Sequence, residues 1–208
     1  MTVIADYGLA PAAKFPIPPE DIRDAISWFL TNKSAVTSGK LAESVDLSKI
    51  FVMGHSAGAN HVMSLYLSPS ILPLNSPIRA ATRGLIPAGG AFKFIVDGHP
   101  VLPAEVLEGY YGSIEAARTN SPLALLDKAS DELIAGLPEL FVMVSENEPE
   151  FIKSGVDEFI EKVKTRCGRP VKYEVMKGHN HISPHWALQS GQGEDWAKDL
   201  AEWIKSVV

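Results

Sequence analysis

The chain is poor in several things, and each scarcity argues against a class of function. It has one cysteine, Cys167, in 208 residues. A single thiol forms no internal disulfide and suits a reducing compartment, so a cytoplasmic location is the expectation. Cys167 lies in Thr165-Arg166-Cys167-Gly168-Arg169-Pro170, which reads as a loop with an inert thiol. Positive charge is scarce too. Lys and Arg number 19 against 25 Asp and Glu, a net charge of −6, which argues against a nucleic-acid partner. No apolar run approaches the length of a membrane span. Met1-Thr2-Val3-Ile4-Ala5-Asp6 is too short, and charged too soon, for a signal peptide. No internal repeat interrupts the chain. His179, His181 and His185 have the spacing H-x-H-x3-H, but no Asp follows to complete a zinc set, so neither metal nor cofactor is expected.

What is present is organised around Lys49 to Met63. Ile50-Phe51-Val52-Met53 is a short unbroken apolar run, as in a parallel strand buried on both faces. Gly54-His55-Ser56-Ala57-Gly58 follows, and then Ala59, Val62, Met63 and Tyr66 at helical spacing. A strand, G-x-S-x-G and a helix form the setting of a nucleophile elbow, with Ser56 at its apex. Gly54 and Gly58 are expected to let strand and helix approach closely. The Ala57 N–H, one residue past the serine, is the expected oxyanion donor.

A serine needs a base, and the base needs an orienting acid. In hydrolases built on such an elbow the order is Ser, Asp or Glu, then His. Leu140 to Val144 reads as a second strand, running into Ser145-Glu146-Asn147-Glu148-Pro149-Glu150. Val171 to Met176 reads as a third, running into Gly178-His179-Asn180-His181. The residues alone leave Glu146, Glu148 and Glu150 open as the acid, and His179, His181 and His185 open as the base.

The rest is mostly scaffold. Val3-Ile4-Ala5 reads as a strand. Ile22, Ala25, Ile26 and Phe29 make one helical face, which Thr37-Ser38-Gly39-Lys40 breaks. Gly84 to Ala88 reads as a strand. Residues 93–135 are the least regular, with weak helices near 103–110 and 122–128. Phe92, Phe94, Tyr110 and Tyr111 either line a pocket or fill the core. Ile152, Val156, Phe159, Ile160 and Val163 form a helical stripe, and so do Trp196, Leu200, Trp203, Ile204 and Val207. Strands alternating with helices predict an α/β fold: one mostly parallel sheet with helices on both faces, in a single domain over 1–208. A chain of this length buries roughly 70% of its unfolded surface.

The segments VIADYGLAPAAKFP, GHSAG, LFVMVSENEPEF and GHNHIS together resemble the esterase/lipase branch of the α/β-hydrolase superfamily that includes hormone-sensitive lipase. The resemblance implies a serine hydrolase cleaving carboxylic esters through an acyl-enzyme. It assigns the base to His181, at the family's G-x-x-H position, and the acid to Glu148, where the family has Asp before Pro. A small-amide, formamidase-type hydrolase and a hydrolase-fold protein with impaired catalysis are the alternatives. The family's strands before D-Y-x-L-A-P, and the His-Gly-Gly loop that donates to the oxyanion, have no counterpart here. The resemblance thus implies an N-terminally shortened hydrolase. Residues 1–208 alone are then expected to be weakly active and to self-associate through unpaired strand edges.

Overall fold

The short apolar runs become the strands of one sheet, and the 3.6-residue stripes become the helices laid against it. The computed structural model describes residues 1–36 and 45–208. In chain order the elements are α1 (Ile17–Thr31), α2 (Lys33–Val36), β1 (Ile50–His55), α3 (Ala57–Leu67), α4 (Pro77–Ala81) and β2 (Thr82–Ala88). A small antiparallel pair follows, β3 (Ile95–Val96) and β4 (His99–Pro100). Then come α5 (Ala104–Tyr111), α6 (Ile114–Asn120), α7 (Pro122–Lys128) and α8 (Asp131–Ala135). The chain closes with β5 (Glu139–Asn147), α9 (Glu150–Cys167), β6 (Lys172–Asn180), α10 (Ser183–Ala187) and α11 (Asp195–Val207).

The main sheet has the order β1-β2-β5-β6, with every pair parallel. Alternation along β5 divides its side chains between two cores. Leu140, Val142 and Val144 face a layer that includes Ile22 and Ile26 of α1, Val62 and Leu65 of α3, and Val156 and Phe159 of α9. Phe141 and Met143 face α11 through Trp196 and Leu200. Trp203 of α11 meets Phe51 and Phe141 with ring centroids 5.7 and 5.2 Å apart. Helices therefore cover both faces, as the alternating pattern predicts. The α9 stripe is wholly buried, and each such side chain contributes roughly 1.5–3 kcal/mol on leaving water.

Several expectations need correction. Val3-Ile4-Ala5 is not a strand: these residues are exposed and take no regular structure. A strand exists only through its ladder, and β1 pairs on one side alone, with β2, leaving its outer edge without a strand among the described residues. Cys167 is not in a loop but ends α9, half-buried, with Sγ 3.6 Å from the Ile134 carbonyl; Gly168, in the left-handed region, closes the helix. Residues 93–135 are more regular than expected. Ser113, Ser121 and Ser130 each accept an N–H three residues on, from Ala116, Ala124 and Leu133, and so start α6, α7 and α8. The break expected at Thr37–Lys40 lies outside the described residues. Phe92 and Phe94 are core, and the Tyr110 hydroxyl bonds to Nδ1 of the buried His61 on α3 at 3.1 Å.

Candidate active site

The site stands where β1, β5 and β6 end. β1 stops at His55, and the chain reverses through Ser56 at φ 54°, ψ −118°. Such a backbone costs a non-glycine residue about 1–3 kcal/mol and needs outside support. Ser56 N–H supplies part of it by donating to the Ala88 carbonyl at 2.9 Å. The Ser56 carbonyl then accepts from the Ala59 and Asn60 N–H groups as α3 begins. Gly54 fits its expected role, because a Cβ there would lie 2.3 Å from the Gly58 carbonyl oxygen. Gly58 does not: a Cβ on it would meet nothing within 4 Å. What the turn requires at Gly58 is its backbone, which fills the space beside Gly54. Ala57 is the first residue of α3, where N–H groups have no intrahelical acceptor.

β5 carries the chain to Glu148, whose side chain is fully buried. β6 carries it to His181. Glu148 Oε2 accepts from His181 Nδ1–H at 2.7 Å, and His181 Nε2 lies 2.9 Å from Ser56 Oγ. With Nδ1–H given to the carboxylate, Nε2 is the free lone pair facing the serine hydroxyl. The three expected side chains are thus brought into one continuous relay by three separate strand ends.

The competing residues have other partners. Glu146 is exposed and accepts the Gly178 N–H at 2.8 Å, which with the nearby Lys177 ammonium holds its carboxyl below the usual range. Glu150 is exposed in the first turn of α9. His179 Nε2 donates to the Gly193 carbonyl at 2.7 Å, while Nδ1 accepts from Ser183 Oγ at 2.9 Å. Both its nitrogens are committed to the loop, so it has no free nitrogen for a metal. Among the described residues no group of His, Cys, Asp and Glu is arranged to hold a metal ion. Asn180 Oδ1 accepts from the N–H groups of Ile182 and Ser183, which shapes the turn carrying His181.

Two features went unseen in the sequence. Gly89, just after β2, has φ +57°. A Cβ there would sit 2.9 Å from Glu148 Oε1 and 3.4 Å from the His181 ring, so only glycine leaves the carboxylate its place. The paired Gly89-Gly90 was the available signal. His55 is the other. Its ring centroid lies 4.7 Å from that of His181 and 4.4 Å from that of His185. Burial, with the two neighbouring imidazoles, pushes His55 down to about 4.

Comparison with known proteins follows the same lines. The model of the alpha/beta hydrolase fold family matches residues 1–184. A search of curated proteins finds no match. Among solved structures the chain is similar to a thermostable esterase from Pseudomonas putida, with 19% identity and a TM-score of 0.70, covering 97% of this chain and 62% of that one. It is similar to a carboxyl esterase from the mycorrhizal fungus Tuber melanosporum, with 18% identity and a TM-score of 0.72, covering 97% and 66%. It is also similar to a hyperthermophilic esterase from the archaeon Pyrobaculum calidifontis, with 22% identity and a TM-score of 0.68, covering 97% and 63%. The chain thus spans about 62–66% of the length of these structures. With a family model over residues 1–184 and the same fold in each of these structures, the chain belongs to the alpha/beta hydrolase fold family.

Proposed function

We propose that the chain is a serine hydrolase that cleaves carboxylic esters through an acyl-enzyme. One observation carries the reading: the unbroken relay Ser56 Oγ, His181 and Glu148, at 2.9 and 2.7 Å. In it Ser56 Oγ attacks the ester carbonyl carbon while His181 Nε2 takes the hydroxyl proton. Glu148 holds Nδ1–H, fixes the tautomer and stabilises the imidazolium. The Ala57 N–H receives the developing oxyanion. Collapse of the tetrahedral intermediate breaks the ester C–O bond, and His181 gives its proton to the departing alcohol. Water, deprotonated by the same nitrogen, then attacks the acyl carbon. The acid leaves and Ser56 regains its proton.

The esterase structures similar to this chain support the reaction class. The single, half-buried thiol of Cys167 suits a cytoplasmic setting. Among the described residues no helix is long and apolar enough to cross a membrane. The outer edge of β1, which has no strand beside it among the described residues, is the route by which copies would associate. The test is covalent labelling with a fluorophosphonate probe beside hydrolysis of p-nitrophenyl acetate. Label and turnover are expected to disappear together in Ser56→Ala. Label that persists in that variant would place the nucleophile elsewhere.

A further inference from the structure

His55 is a half-buried imidazole to which the reaction above gives no role. It is the last residue of β1 and precedes Ser56 directly. Alternation along β1 puts its side chain on the face of Phe51 and Met53, opposite Val52. Its ring is wedged between two others. His181 lies on one side at 4.7 Å with planes inclined 39°, and His185 of α10 lies on the other at 4.4 Å, edge on at 77°. His55 Nε2 is buried without a hydrogen-bond partner among the described residues. Nε2 gains nothing there to compensate for lost water, so the ring is held by its packing and by a hydrogen bond with the His181 backbone. Loss of water and the two neighbouring imidazoles keep it neutral near pH 7. A charged ring at this place would repel the imidazolium that forms on His181. Beyond His181 the only carboxylate in the relay is Glu148, already bonded to Nδ1.

His181 needs such a support. Its side chain is one quarter exposed, and it reaches Glu148 and Ser56 from a loop. Two hydrogen bonds fix the ends of the ring, yet neither stops it from rocking about the line between them. A packed ring against its face does.

We propose that His55 is a positioning residue: its neutral ring, backed by His185, holds the His181 imidazole in the orientation that faces Ser56. The inference rests on the Ser56–His181–Glu148 reading. It predicts that ring contact matters more than the identity of the ring atoms.

The experiment compares His55→Ala and His55→Phe by p-nitrophenyl acetate kinetics and by the rate of fluorophosphonate labelling. His55→Ala should lose at least tenfold in kcat and in labelling rate, with KM changed less than twofold, because substrate contacts are untouched while the base swings free. His55→Phe restores a ring and should stay within about threefold of the unaltered chain. An unchanged kcat in His55→Ala, or an equal loss in the two variants, would overturn the proposal. If His55→Ala does not fold, His185→Ala replaces it. His185 is exposed, and removing the backing ring should lower kcat at least threefold. No change there would also overturn the proposal. Ser56→Ala separates the two ideas. If that variant still hydrolyses ester, or if the unaltered chain takes no label, the site reading itself fails. If Ser56→Ala is dead and His55→Ala is intact, only the role of His55 fails.

Discussion

Replacing Gly89 by alanine tests how closely the carboxylate and the imidazole are held. Two costs can be worked from the structure. The first is local. Gly89 stands at φ +57°, and a Cβ in the left-handed region costs about 1–2 kcal/mol. For a chain of this size that is a fall of roughly 2–8 °C in Tm. The second is positional. The new Cβ would lie 2.9 Å from Glu148 Oε1, an atom buried without a hydrogen-bond partner among the described residues. Ordinary carbon–oxygen contact begins near 3.4 Å, so the carboxylate must retreat by about 0.5 Å. The His181 ring, whose Cε1 and Nδ1 are each 3.4 Å from the same point, is pressed as well. Catalytic groups are held to about 0.5 Å of their working positions, and a shift of about 1 Å costs roughly 10² in rate. Gly89→Ala should therefore lose about 10-fold to 100-fold in kcat with little change in KM. Gly90→Ala is the control. Its Cβ would meet the Phe92 ring at 2.3 Å, so it should lose about 1–3 kcal/mol of stability by overpacking yet keep kcat within a few-fold. The assay is steady-state ester hydrolysis, normalised by fluorophosphonate titration, beside thermal melts. A Gly89→Ala variant that melts lower but keeps its kcat would refute the reasoning.

Two further outcomes are expected. Glu148→Gln should lower kcat by about 10⁴, as a mis-set imidazole tautomer does, while Glu146→Gln should leave kcat within a few-fold because its exposed carboxylate meets the Gly178 N–H and Lys177, not the base; reversed rates in the same ester assay would exchange their roles. Acid should weaken the fold through His61, which burial pushes down from 6.5 to about 4. The unfolded chain binds this proton more tightly, so stability is full above pH 6.5, falls as pH drops towards 4 and is flat below. The interval amounts at most to roughly 3–4 kcal/mol, at about 1.4 kcal/mol per pH unit. Urea unfolding at pH 7 and pH 4.5 should show this loss shrinking in His61→Asn, whose amide can still meet the Tyr110 hydroxyl, and an equal loss in both proteins would assign acid sensitivity to other groups.

Much of the scaffold can be read locally because its signals are local. The apolar run Ile50–Met53 and the helical spacing of Ala59, Val62, Met63 and Tyr66 each lie within a dozen residues, and both elements form. β1 is not buried on both faces as read, however: among the described residues it is an edge strand in which only Val52 is buried and Met53 is exposed. The same holds for β5, β6 and the buried stripe of α9. α7 forms where the sequence predicts a weak helix, while the serine caps of α6 and α8 are equally local, yet short helices with little apolar periodicity hide them among loops. Ser56 stands out for the same reason: the strand, the turn and the helix that set it are contiguous.

The sequence by itself determined the sheet strands β1, β2, β5 and β6 with their main helices, the parallel α/β class and the residue types able to form a relay. The tertiary structure decided which of them meet. Glu146, Glu148 and Glu150 lie within five residues, and only the turn leaving β5 buries Glu148 while turning its neighbours outward. His179 and His181 differ by two positions, and their partners, Gly193 and Glu148, come from distant parts of the chain. Gly89, His55 and His185 gained their places only when β1, β2 and the loop after β6 came together. Val3–Ala5 has strand-forming residues and forms no strand. The physical reason is common to all of these. Periodicity and capping act over neighbouring residues, whereas a hydrogen-bonded relay, a ring wedge or a ladder edge depends on groups that only the packed sheet brings within a few ångströms.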